Sequence, residues 1–188
     1  VSASDRLSLL LGNGDGSFKA PTYLTSGTKP FSLIMADING DGKKDLISAN
    51  YNSANVSILL GNGDGTFKSA TSASTGTRPV SVAAADLDGD GKIDLAVANR
   101  DSNSISLLAG NGDGTFKTAV NFVTGTTPYS VTIADINGDS KPDVATANEG
   151  GGLPVSTFGE LVAGITCRQQ CDGQVGVWSV GARDQHHR

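Results

Sequence analysis

Aromatic residues make up only 5% of the 188-residue sequence, and histidine occurs twice, at His186 and His187. The long interior therefore holds no imidazole to serve as a base, and no Ser, His and acid can be placed together on sequence grounds. Catalysis within this chain is not expected. Cysteine is almost absent too, with only Cys167 and Cys171. No apolar run approaches the ~20 residues of a membrane-spanning helix. Basic residues form no stripe, and the net charge is −5, which argues against nucleic acid as a partner. No segment keeps a helical period over three turns. No signal peptide opens the sequence, which starts within a repeat, so that absence says little about the parent protein.

What the sequence has in quantity is glycine, 25 residues, without a collagen period. The glycines are placed by a repeat. Gly12, Gly61 and Gly110 each open "GNGDG" at 49-residue intervals. Asp37, Asp86 and Asp135 keep that interval, as do Gly27, Gly76 and Gly125 with Pro30, Pro79 and Pro128 behind them. Residues 1–49, 50–98 and 99–147 form three complete units, and a tail over 149–188 abandons the pattern. A period of this length signals a propeller, solenoid or array.

Each unit reads as short strands between Gly, Asn and Asp clusters. Across the second and third, "SVAAAD" enters an acidic loop, "IDLAVAN" leaves it, "SISLLAG" follows a polar turn, and "FKTAVNFVTG" follows "NGDGT". Four strands in 49 residues fit one propeller blade. The nearly continuous apolar runs after the acidic loop predict strands buried on both faces. The fold class expected is all-β: about three four-stranded blades of a partial propeller, followed by a poorly ordered tail.

The acidic loops are "DINGDGKKD", "DLDGDGKID" and "DINGDSKPD". A hard cation such as calcium takes six to eight oxygens at ~2.3–2.6 Å. Side chains at positions 1, 3 and 5 of a tight loop can converge, with the carbonyl at position 7 and the acid at position 9. The candidate ligands are Asp37, Asn39, Asp41, the Lys43 carbonyl and Asp45 in the first loop. They are Asp86, Asp88, Asp90, the Lys92 carbonyl and Asp94 in the second, and Asp135, Asn137, Asp139, the Lys141 carbonyl and Asp143 in the third. A purely solvated Asx turn would leave closely packed carboxylates repelling one another. An EF-hand needs Glu at position 12, where Ser48, Val97 and Thr146 stand. Ligation by oxygen alone disfavours zinc and copper. Glycine at position 6 admits a sharp turn, and Ser140 replaces it in the third loop.

Asp15, Asp64 and Asp113 in "GNGDG" lack a second acid at alternate spacing, so they read as turn formers rather than ligands. Phe18, Phe67 and Phe116 behind them read as core anchors.

These units resemble the FG-GAP or VCBS-type repeats of integrin-like β-propellers. The resemblance rests on "ADINGDGKKDLISAN", "ADLDGDGKIDLAVAN" and "ADINGDSKPDVATAN", paired with "LLGNGDGSF", "LLGNGDGTF" and "LAGNGDGTF", and covers residues 1–148. It implies calcium in each acidic loop, a full propeller of about seven blades, and an extracellular or cell-surface adhesion or binding role. It leaves open a scaffold within a secreted carbohydrate-active enzyme, or a lectin. The ligand, protein or glycan, is not named by the sequence. Tyr23, Tyr51, Tyr129 and Trp178 occupy unmatched positions in the repeat and form no per-blade sugar platform.

In the tail, Cys167 and Cys171 fit a small disulfide loop or two free thiols, and their spacing to His186 and His187 is unlike a zinc finger. An out-of-frame or cloning-derived end also fits the abrupt change of composition. Three blades fall short of the ~4 that close a ring. Exposed apolar end faces are therefore expected, at residues such as Leu9, Leu11, Ile133 and Val144. They would be covered by more of a longer chain or by self-association.

Overall fold

The computed structural model describes residues 5–149 and the backbone of Val162–Thr166. All the described secondary structure is β. Thirteen strands form: β1 (Arg6–Leu9), β2 (Thr22–Thr25), β3 (Pro30–Ala36), β4 (Asp45–Asn50), β5 (Asn55–Leu59), β6 (Thr71–Ser74), β7 (Pro79–Ala85), β8 (Asp94–Asn99), β9 (Ser104–Leu108), β10 (Val120–Val123), β11 (Pro128–Ala134), β12 (Asp143–Asn148) and β13 (Val162–Thr166). Cys167, Cys171, Trp178, His186 and His187 lie outside the described residues.

Two complete antiparallel sheets have the orders β3-β4-β5-β6 and β7-β8-β9-β10. They are flanked by two partial ones, β1-β2 and β11-β12-β13. The second strands, β4 and β8, are buried at every residue. That is why "DLISAN" and "DLAVAN" show no in–out alternation: a neighbouring sheet covers each face. The 49-residue units and the sheets are out of phase. Each unit boundary falls at the end of β4, β8 or β12, so every complete sheet joins the end of one unit to the start of the next. Three blades' worth of repeat strands is thus laid out as two whole blades and two halves.

The blades are held by apolar contact between sheets. Ile38, Ile47, Val56 and Ile58 form one cluster with Val82, Leu95, Val97 and Leu108 of the next blade. A second cluster joins Val80, Ala96, Ala98 and Ile105 to Val131 and Val144. Full burial of each Val, Leu or Ile side chain is worth ~1.5–3 kcal/mol, so these interfaces carry most of the stability. A polar seam supplements them. The amide of Asn50 donates to Asn55 Oδ1 at 2.8 Å and Ser57 Oγ at 2.9 Å, and Asn99 donates to Ser106 Oγ at 2.8 Å. Gly27 and Gly76 pass so close to these asparagines that an added Cβ would sit 2.6–2.7 Å from the amide atoms, which accounts for glycine there in the repeat.

The end faces differ from expectation in detail. Val144 is fully buried, and Leu9, Leu11 and Ile133 are half-buried. The exposed apolar residues include instead Phe31, Leu33 and Met35 on β3, Leu10 and Ile136, besides Val120 and Val123 on the outer strand β10. Val144 sits on a central strand already covered by β8 and β11, whereas β3 is an inner strand whose outward face meets no preceding inner pair. Phe67 and Phe116 pack against core clusters as anchors, but Phe18 is 62% exposed. Phe67 packs against the cluster of Leu7, Leu46 and Leu59, and Phe116 against the cluster that holds Val56, Leu95 and Leu108, and both clusters reach into the preceding sheet. Phe18 has no such sheet to rest on.

Candidate metal centres

Each acidic loop is the hairpin between the first and second strands of a blade, β3–β4, β7–β8 or β11–β12. Its backbone wraps round its own carboxylates. Asp86 Oδ1 accepts the Gly89 N–H at 2.8 Å and Oδ2 accepts the Gly91 N–H at 2.9 Å. Asp37 Oδ2 accepts from Gly42 and Asp135 Oδ2 from Ser140 in the equivalent bonds. Asn39, Asp88 and Asn137 each accept the N–H two residues on. These Asx turns point side-chain oxygens into the concave side of the loop.

The ninth-position acids do more than their spacing revealed. Asp94 is 3% exposed, and Asp45 is fully buried. Asp94 Oδ2 accepts the Leu87 N–H at 2.8 Å, and Oδ1 accepts the Gly110 N–H at 2.7 Å. Asp45 does the same with Ile38 and Gly61. One carboxylate therefore closes the acidic loop and clamps it to the "GNGDG" turn of its own blade. Gly61 and Gly110 are required for this approach: a Cβ on either would meet a backbone carbonyl oxygen, of Lys44 or Ile93, at 2.2 Å. Sequence reading placed these glycines only in a turn, and the 16-residue separation from the acid hides the link.

In the second loop Asp86, Asp88 and Asp94 each place a carboxylate oxygen within 4.8 Å of the other two. Three like charges this close are costly unless a cation lies among them. Ligands ~2.3–2.6 Å from one calcium ion stand within about that separation of each other, so the donor set fits. Asp90 is turned aside: its Oδ2 is 2.7 Å from Lys92 Nζ. The Lys92 side chain, then its backbone N–H, hold the Asp90 carboxyl below the usual carboxylate range, and Asp90 in turn raises Lys92. In loops one and three the third position is an amide, Asn39 or Asn137. Loop three keeps the bond from the Gly138 N–H to Asp135 Oδ1, whereas in loop one Asp37 Oδ1 accepts the Asp41 N–H at 3.1 Å. Asp41 and Asp139 lie 3.7 and 3.8 Å from Lys43 and Lys141 Nζ.

Ser140 adopts φ 66°, where Gly42 and Gly91 have 79° and 82°. A side chain in this left-handed region costs ~1–2 kcal/mol. Ser140→Gly is therefore expected to stabilise the fold by ~1 kcal/mol, measured by denaturant unfolding without metal. Unchanged or lower stability would refute the strain.

Asp15, Asp64 and Asp113 behave as turn formers. Each Oδ1 accepts both the hydroxyl and the N–H of the residue two on, Ser17, Thr66 or Thr115. The hydroxyl first, then the N–H, lower their pKa values.

The structure also unites residues that the repeat kept apart. Tyr51 stacks on Phe31 with ring centroids 5.7 Å apart, and accepts from Arg100 Nη1 at 3.0 Å. Lys29 and Arg78 lie over its ring at 4.5 and 5.2 Å, and Arg100 lies over Tyr129 at 5.2 Å. Tyr51 and Arg100 occupy one repeat position in successive units, Phe31 and Tyr129 a second, and Lys29 and Arg78 a third; together they build a cation–aromatic ladder across three blades.

Whole blades stacked through their inner strands, with an acidic hairpin at the same place in each, define a β-propeller segment built from acidic-loop repeats. The profile of the FG-GAP-like repeat matches residues 1–48, 37–97 and 86–146. The chain belongs to this FG-GAP-like repeat family. Among solved structures it is similar to an Agrocybe aegerita lectin described as recognising non-reducing terminal N-acetylglucosamine. That match has TM-score 0.50 and 23% identity, over 75% of this chain and 40% of the lectin chain. It also matches the Photorhabdus luminescens Tc holotoxin pore, with TM-score 0.44 and 20% identity, over 75% of this chain and 7% of that one. The chain thus spans less than half the length of either. No curated protein sequence matches it.

Proposed function

We propose that this chain is a calcium-binding β-propeller segment with a non-catalytic binding or adhesion role outside the cell. The observation that carries the metal part is the convergence of Asp86, Asp88 and Asp94 oxygens within 4.8 Å at a hairpin that recurs in every unit. The residues that would hold the ion are Asp37, Asn39, Asp41, Asp45 and the Lys43 carbonyl. Their counterparts are Asp86, Asp88, Asp90, Asp94 and the Lys92 carbonyl, and Asp135, Asn137, Asp139, Asp143 and the Lys141 carbonyl. Bound calcium would supply charge neutralisation and a rigid hairpin rather than chemistry on a substrate. For Asp90 to take part, its contact with Lys92 must yield.

The three sites are unequal. Loop two offers four carboxylates and the others three, and ligand charge tightens calcium binding. The expected order is loop two, then one, then three, with dissociation constants of ~10⁻⁴–10⁻³ M suited to an extracellular module. Calorimetric titration of Asp90→Ala and Asp139→Ala tests the order. If the loop-three change weakens calcium binding more than the loop-two change, the ranking is wrong.

A glycan-binding role is the second reading, as a lectin or as the propeller of a secreted carbohydrate-active enzyme. The fold likeness to the Agrocybe lectin and the Tyr51, Arg100 and Tyr129 ladder favour it. A glycan array that includes terminal N-acetylglucosamine tests it, and a blank array would remove it.

A further inference from the structure

The two ends of the β3–β4 pair carry opposite charge. The acidic loop joins the Ala36–Asp45 end, while Lys29 and Tyr51 flank the Pro30–Asn50 end. β7 and β8 repeat this layout, with Arg78 and Arg100 flanking Pro79 and Asn99. Lys29, Arg78 and Arg100 therefore gather at the edge opposite the acidic loops, in a chain whose net charge is −5. Among the described residues, the carboxylate that pairs with them is Asp101, 2.7 Å from Arg78 Nη1 and 3.6 Å from Arg100 Nη1. Lys29 Nζ lies over the Tyr51 ring at 4.5 Å and has no ion pair among the described residues.

The frame of this junction is the same in every unit, and the side chains on it are not. Gly27, Pro30 and Asn50 recur as Gly76, Pro79 and Asn99 and as Gly125, Pro128 and Asn148. The positions beside them read Lys29, Arg78 and Thr127, and Tyr51, Arg100 and Glu149. Varied side chains on a fixed frame mark a recognition surface rather than a core. The backbone agrees. Lys29, Arg78 and Thr127 hold φ of 55°, 55° and 56°, in the left-handed region that side chains enter only at a cost. Strain of this kind is stored where the side chain has a use. Arg100 adds an unspent donor: its Nη1 donates to Tyr51, while its buried Nε has no hydrogen-bond partner among the described residues.

We propose that this junction binds an acidic glycan, its carboxylate or sulfate held by Arg78 and Arg100 while a sugar ring lies against Tyr51 and Tyr129. This deepens, and rests on, the glycan-binding reading above. A guanidinium presents a planar fork of donors that meets an oxyanion through paired bonds. Stacking over an aromatic ring leaves the in-plane donors free. Arg78 lies over Tyr51 and Arg100 over Tyr129, each at 5.2 Å, so donor forks and rings alternate along the junction. The rings offer apolar faces to the C–H groups of a sugar, and their hydroxyls offer polar tips. Asp101 holds the Arg78 fork in the free protein, and the oxyanion of the ligand takes its place. Lys29 adds positive charge beside the same ring. A neutral sugar brings no group able to displace Asp101.

Calorimetric titration of the full chain in calcium is the test, with oligosaccharides of hyaluronan, of chondroitin sulfate and of chitin as carboxylated, sulfated and neutral probes. An acidic probe should bind more tightly than the neutral one, and less tightly as salt rises. Binding of hyaluronan assigns the carboxylate as the anchor, and binding of the sulfated probe alone assigns the sulfate. Arg78→Gln should weaken binding of the acidic probe about tenfold or more, with the circular dichroism spectrum of the strands unchanged. Asp101→Asn frees the Arg78 fork and should tighten binding, a gain that a misfolded variant cannot imitate. Binding of the neutral probe alone, indifferent to Arg78→Gln, would overturn the proposal and leave the glycan reading standing. Equal binding of a single-stranded oligonucleotide, or an Asp101→Asn chain that binds no tighter, would overturn it too. No binding of any probe, with a blank glycan array, would end both.

Discussion

Removing calcium with EDTA is expected to lower the thermal midpoint of the chain by ~10–20 °C. A ligand that binds only the folded state stabilises it by RT ln(1 + [L]/Kd). At about 10 mM calcium, roughly ten to a hundredfold above those dissociation constants, each occupied loop adds about 1.4–2.7 kcal/mol. Two or three loops together add ~3–8 kcal/mol, and a chain of this size shifts ~2–4 °C per kcal/mol. Scanning calorimetry in calcium and in EDTA reads the difference, and magnesium serves as a control because it demands a tighter octahedral site. A midpoint indifferent to EDTA would end the metal assignment. A shift matched by magnesium would end its calcium selectivity.

Asp94→Ala should cost about 3–5 kcal/mol even without metal, because it strands two buried donors, the N–H groups of Leu87 and Gly110. Each unpaired buried N–H costs ~1–3 kcal/mol, and the methyl group replaces neither bond. Asp90 provides the contrast inside the same loop. Its carboxylate faces Lys92 at the surface, so Asp90→Ala should leave metal-free stability almost unchanged while still weakening calcium binding. Urea unfolding of both variants in EDTA separates the roles. Equal losses for the two would show that Asp94 is only a ligand and that the clamp on the "GNGDG" turn carries no weight.

The contrast between these two acids marks the boundary of what the sequence reveals. Alternating oxygens, a fixed interval and apolar runs made the loops, the strands and the blade character of "DLAVAN" legible, because each depends on neighbours a few residues away. Asp94 and Gly110 were legible singly, but the bond between them was not, since it joins positions on different strands. The same holds for Tyr51 and Arg100. Each looks like noise in the repeat, and only the stacking of successive blades brings them together. Val144 was misplaced on an exposed face for a related reason: its strand reads as terminal along the chain, yet β11 and the neighbouring blade enclose it. Phe18 shares its spacing with Phe67 and Phe116, and local pattern cannot tell that the surface those two rest on is missing for it.

The phase difference between unit and sheet has a bearing on how such a protein changes length over generations. Because every unit boundary lies inside a blade, between its second and third strands, no single unit can fill a blade without its neighbour. Gaining or losing one 49-residue segment by unequal crossing-over therefore adds or removes a full blade's worth of strands, and the sheet at the junction is completed by whichever unit comes next.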